Sequence, residues 1–64
     1  MKIKIKSYNG ELPDYLTIDK EYGVLEYYED VDGFSIVDDQ EDKIYTLRTS
    51  TRHLDGGEWE IVEC

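Results

Sequence analysis

The chain has 64 residues, enough for one small domain whose apolar residues are all needed for its core, so a deep catalytic pocket is not expected. Sixteen acidic against seven basic residues give a formal net charge of -9. That balance disfavours direct binding to a nucleic-acid backbone or to anionic lipid, both of which need clustered Lys and Arg. Six Tyr, one Trp, one Phe and many aliphatic residues nevertheless predict a folded chain. No apolar stretch approaches the ~20 residues of a membrane span. The basic start, Met1 to Lys6, lacks the apolar region of a secretory signal. With Cys64 as the lone cysteine and no internal disulfide to form, the expectation is a soluble, cytoplasmic protein with an incidental terminal thiol.

In chain order, Lys2 to Lys6 alternates strictly, placing Ile3 and Ile5 on one face and three Lys on the other. This predicts a half-buried first strand. Residues 7 to 20 are punctuated by Asn9-Gly10 and Pro13-Asp14, which suit turns. Tyr22 to Tyr28 is rich in aromatic and β-branched residues and reads as a second strand. Asp32-Gly33 predicts a type I′ hairpin turn, with Phe34 to Val37 returning as a third strand. Residues 38 to 42 form a polar turn into a fourth strand, Lys43 to Arg48. Thr51 to Leu54 has room for one helical turn, and Trp59 to Val62 reads as the closing strand.

Nothing ten residues long has helical period. Five short strands predict an all-β domain over residues 1–64, either a small five-stranded SH3-like barrel or a strongly curled antiparallel sheet. The expected core is Ile3, Ile5, Leu16, Ile18, Tyr22, Val24, Phe34, Ile36, Ile44, Leu47, Leu54, Trp59 and Ile61.

The run Leu16-Thr17-Ile18-Asp19-Lys20-Glu21-Tyr22-Gly23-Val24-Leu25, followed by a Tyr/acidic hairpin and an Ile-Val-Asp-Asp strand, resembles small phage-encoded SH3-like barrels. Those proteins carry Leu-Thr-x-Gly-Lys-x-Tyr-x-Val before the second strand. This chain departs from them at Asp19, where they favour Gly, and at Gly23. The likeness spans residues 1 to 48. It implies a phage or prophage origin and no defined activity.

No constellation for chemistry emerges. Aligning Gly33 with the invariant glycine of a calcium loop puts Tyr28 at the first ligand position and Asp39 at the last, so the first ligand is missing. One Cys and one His cannot build a tetrahedral zinc site. His53 lies near Ser50 and Asp55, but a triad within one short turn lacks usable geometry, and the residue reads as a surface or capping group beside Arg52. The acids fall in polar turns rather than apolar pockets that would raise a pKa for acid–base work. The expectation is a protein with no enzymatic activity and no cofactor.

The charge map is the remaining feature. Residues 7 to 47 hold twelve acids against Lys20 and Lys43. If the second and third strands pair about Asp32-Gly33, the acids gather along one end and edge, and alternate residues stand ~6.6 Å apart. That spacing is similar to the phosphates of one DNA strand. The candidate partner-binding set is Glu26, Tyr27, Tyr28, Glu29, Asp30, Asp32, Asp38, Asp39, Glu41 and Asp42, with whichever of Tyr27 and Tyr28 faces outward as anchor. The expected function is a phage accessory inhibitor that mimics nucleic acid. Its partner would be a basic, nucleic-acid-handling host protein such as a CRISPR effector, a restriction enzyme or a polymerase-associated factor. The alternative is a structural or interaction module of a phage or host complex, in which acidity serves solubility. A third reading, single-strand nucleic-acid binding through an aromatic sheet face, is opposed by the net charge.

Overall fold

The computed structural model describes residues 1–62. Cys64, expected to be an incidental thiol, lies outside them. Five antiparallel strands form one sheet: β1 (Lys2–Ser7), β2 (Tyr22–Tyr28), β3 (Gly33–Val37), β4 (Lys43–Leu47) and β5 (Glu58–Val62). Their spatial order is β4-β3-β2-β1-β5. A single 3-10 turn, Arg52–Leu54, precedes β5 where one helical turn was expected. Among the described residues no helix is long and apolar enough to cross a membrane.

The sheet curls but does not close into a barrel, which leaves the curled sheet as the correct one of the two expected forms. Its bend lies in β2. Tyr22 and Gly23 pair with β1, whereas Val24 to Tyr28 pair with β3, and a bulge falls between Val24 and Glu26. A bulge adds a residue to one strand and increases its local twist. At the open side, the Trp59 N–H bonds the Arg48 carbonyl at 2.8 Å and Thr51 and Gly57 form an isolated bridge, but neither contact extends into a ladder.

Alternation places the core as expected at β1. Ile3 and Ile5 are buried, Lys2 and Lys6 are exposed, and Lys4 is half-buried in an ion pair with Glu60 opposite. Ile3, Ile5, Leu16, Tyr22, Phe34, Ile36, Leu54 and Trp59 form the buried cluster, with Leu12, Tyr15, Val24 and Ile44 packed against it. Three expected core residues are instead exposed. Ile18 sits in the turn closed by Lys20 N–H to the Thr17 carbonyl. Leu47 shares the outer face of β4 with Tyr45. Ile61 pairs with Ile3, but on β5 at the uncovered margin of the sheet.

The β2–β3 connection also departs from expectation. Tyr28 pairs with Gly33, so the loop comprises residues 29–32 rather than a two-residue turn on Asp32-Gly33. Val31 N–H bonds the Tyr28 carbonyl, and Asp32 alone supplies the left-handed conformation, φ 53°. Asp tolerates that region better than most non-Gly residues. Asp19, at the position where the phage barrels favour Gly, likewise has φ 66°. Gly33 serves packing instead, because a Cβ there would lie 2.8 Å from the Tyr45 hydroxyl.

Candidate functional site

Cross-strand pairing assigns the faces. Tyr27 lies opposite Phe34 on the core face, yet it sits at the rim, 42% exposed, and stacks on the Phe34 ring with centroids 5.4 Å apart. Tyr28 lies opposite Gly33 on the outer face. It is half-buried against Tyr45, and its hydroxyl is 2.8 Å from Ser35 Oγ. The two tyrosines do take opposite faces, but the outward-facing one is the less exposed. Tyr45 is the more accessible outer aromatic and was absent from the candidate set. Its place on the face opposite Ile44, two residues from Leu47, was readable from alternation in Lys43 to Leu47.

The ten candidate residues divide by what they touch. Asp38 is buried and organises the β3–β4 turn. Its Oδ1 accepts 2.9 Å bonds from the Gln40 and Asp42 backbone N–H groups, and its own N–H bonds the Asp42 carbonyl. Asp39 ties that turn to the loop before β2. Lys20 Nζ lies 2.6 Å from Oδ1, which also accepts from the Tyr22 hydroxyl at 2.9 Å, while Thr17 Oγ1 donates to Oδ2. The Lys20 ammonium first, and then the Thr17 hydroxyl, hold the Asp39 carboxyl below its ordinary pKa. The hydrogen bond to Asp39 raises Lys20 in turn. Burial is the larger cause of the raised Tyr22 phenol.

Glu26 and Asp32 are partly neutralised on the surface. Glu26 lies 3.9 Å from Lys43, and Asp32 lies 3.8 Å from Arg48 while accepting from the Tyr27 hydroxyl at 3.2 Å. Burial, followed by the bond to Asp32, raises the Tyr27 phenol. Glu29, Asp30, Glu41 and Asp42 are exposed and make no ion pair among the described residues. The expected gathering of acids along one end does not occur. Glu29 and Asp30 occupy the β2–β3 turn, whereas Glu41 and Asp42 occupy the β3–β4 turn at the other end of β3. The five residues of β3, roughly 15 Å of strand, lie between these acidic ends.

His53 has a structural position. Its Nε2 is 3.0 Å from the Tyr45 carbonyl, an acceptor only, so Nε2 carries the proton in the neutral ring. Nδ1 then accepts from the Tyr15 hydroxyl at 2.8 Å. The imidazole thereby caps an outward carbonyl of β4, which protects that edge from pairing with another chain. Neither Ser50 nor Asp55 is a hydrogen-bond partner of the ring, so the geometry of a catalytic triad is not assembled there. Among the described residues, no cluster of three His, Cys, Asp or Glu side chains could hold a metal ion. No protein-family model matches this chain, no curated protein matches it, and no solved structure matches it.

Proposed function

We propose that the protein is a non-catalytic binding module whose acidic turns occupy the nucleic-acid-binding surface of a basic protein, as a phage accessory inhibitor would. The observation that carries this reading is the free display of Glu29, Asp30, Glu41 and Asp42 in a chain of net charge -9. The carboxylates of these four residues make no ion pair or hydrogen bond among the described residues, unlike those of Asp38 and Asp39. Their two clusters lie beyond opposite ends of β3, so a partner that engages both must present cationic groups at two separated points. The resemblance over residues 1 to 48 supports the phage origin. Acids at both ends of one sheet would steer a cationic partner and fix its orientation.

A second reading is an interaction module without mimicry, favoured by the exposed Tyr45 and Leu47 on the outer face of β4. One titration separates the two. A basic nucleic-acid-binding partner recovered with the protein is titrated with labelled nucleic acid in the presence and absence of this chain, at low and high salt. Mimicry requires competition that weakens with salt and disappears when Glu29, Asp30, Glu41 and Asp42 become Gln or Asn. Simultaneous binding of both ligands, indifferent to those substitutions, leaves the interaction module.

A further inference from the structure

Six of the seven Lys and Arg side chains lie within 4.0 Å of a carboxylate of the same chain: Lys2, Lys4, Lys6, Lys20, Lys43 and Arg48. Arg52 is the exception among the described residues, although acids outnumber bases sixteen to seven. It lines an open groove of about 240 Å³ with Tyr45, Leu47, Ser50, Thr51 and His53. The apolar part of that groove is Tyr45, 49% exposed, and Leu47, 37% exposed. The His53 nitrogens are engaged by Tyr15 and the Tyr45 carbonyl, and the Thr51 hydroxyl by Thr46. What the groove offers a ligand is therefore an apolar strip beside the Ser50 hydroxyl and one guanidinium that is unpaired among the described residues. Its complement is an aliphatic side chain flanked by carboxylates.

The chain presents that complement itself. Val31, 49% exposed, stands in the β2–β3 turn with Glu29 and Asp30 before it and Asp32 after it. Asp32 is occupied by Arg48 and Tyr27, which leaves Glu29 and Asp30 to reach outward.

We propose that two copies of the chain associate with the β2–β3 turn of each seated in the groove of the other. Val31 would rest on Tyr45 and Leu47, and Glu29 or Asp30 would pair with Arg52. Turn and groove adjoin within one molecule. Leu47 pairs with Gly33, and the Arg48 N–H bonds the Asp32 carbonyl at 2.9 Å. A two-fold axis beside them thus forms both contacts at once, the usual isologous arrangement of a homodimer. Association covers Glu29 and Asp30 but leaves Glu41 and Asp42 free. It rests on Arg52 and Val31 and not on the mimicry reading.

The two proposals have opposite salt dependence. Each copy carries -9, so long-range repulsion opposes the dimer until salt screens it, whereas a short ion pair in an apolar groove is screened less. Association should strengthen between about 10 mM and about 150 mM salt, as the Debye length falls from ~30 to ~8 Å. The test is sedimentation equilibrium of the full chain under reducing conditions, up to about 1 mM protein, with circular dichroism as a fold control. The expected dissociation constant is on the order of 100 µM. Arg52→Glu and Val31→Asp should each weaken association about tenfold or more. Adding Glu29→Lys and Asp30→Lys to Arg52→Glu should restore it. Adding Glu41→Lys and Asp42→Lys, which changes net charge equally, should not. A wild type that remains monomeric throughout, an Arg52→Glu variant that associates like wild type, or failure of the exchange to restore association overturns the proposal.

Discussion

Trp59 Nε1 donates a 2.7 Å hydrogen bond to Thr46 Oγ1, joining β5 to β4 across the side where the sheet fails to close. Thr46 Oγ1 is also 2.7 Å from Thr51 Oγ1, and all three residues are at most 2% exposed. The indole packs edge-on against Tyr22, with ring centroids 5.8 Å apart. A buried N–H without a partner is costly, so this polar chain fixes where Trp59 can sit.

The first prediction separates packing from polarity at this joint. Trp59→Ala removes a fully buried ring and should cost ~3–5 kcal/mol, enough to unfold most of a domain this small. Thr46→Val keeps the volume but strands the indole N–H and weakens the Thr51 contact, at about 1–3 kcal/mol. Chemical denaturation of both variants checks the order. Equal midpoints for Thr46→Val and wild type would show that the hydroxyl chain contributes nothing.

A second prediction concerns acid. The Asp39 pKa is lowered in the folded state, so its contribution to stability is present above the ordinary carboxylate pKa and is lost as pH falls through the lowered value. Lys20, raised by the same pair, contributes fully below the ordinary lysine pKa and loses that contribution as pH rises through the raised one. Replacing Asp39 by Ala should cost only about 1 kcal/mol near neutrality, because the exposed Lys20 and Thr17 donors return to water and the Tyr22 hydroxyl alone loses its acceptor in a partly buried setting. It should also flatten the acid limb of the stability profile. Melting temperatures between about pH 2 and pH 7 read both effects.

Two glycines should respond differently to the same added methyl group. At Gly57 a Cβ would collide with the Ser7 carbonyl oxygen, which is backbone, and with Leu54 and Tyr8. Gly57→Ala should therefore cost about 3 kcal/mol or more. At Gly33 the obstacle is the far end of the Tyr45 ring, half-exposed and free to swing outward. Gly33→Ala should cost only about 1 kcal/mol and displace Tyr45, visible as a changed Tyr45 ring resonance by NMR.

His53→Ala should be a modest destabiliser with a distinctive second effect. Two hydrogen bonds are lost, at about 1–2 kcal/mol together, and the Tyr45 carbonyl opens to solvent on the edge of β4. An uncapped edge invites strand pairing, so the variant should aggregate faster than wild type at equal fraction unfolded. Light scattering during a thermal hold measures this. Equal rates would assign edge protection to the curl of the sheet rather than to the imidazole.

Local pattern determined much of this protein. Two-residue alternation from Lys2 to Lys6 set the buried and exposed faces of β1, because successive side chains of any strand point to opposite sides. The same periodicity, broken by turn residues, placed all five strands within a residue or so of their observed ends. What it could not determine was anything that depends on the partner of a strand. The bulge between Val24 and Glu26 decides which tyrosine faces outward, and it exists only when β2 is laid against β3. Leu47 read as core because it is aliphatic, although its three-residue offset from Ile44 already puts it on the other face of the strand, whereas Ile61 is in phase with Trp59 and only the sheet order reveals that it lies on an edge strand. Charge behaved in the same way. Composition established an acidic molecule, but acids adjacent in sequence had opposite fates. Asp39 folded onto Lys20 and Tyr22, while Glu41 and Asp42 stayed in solvent, because hydrogen-bond donors from a loop some twenty residues earlier arrive only when the sheet curls.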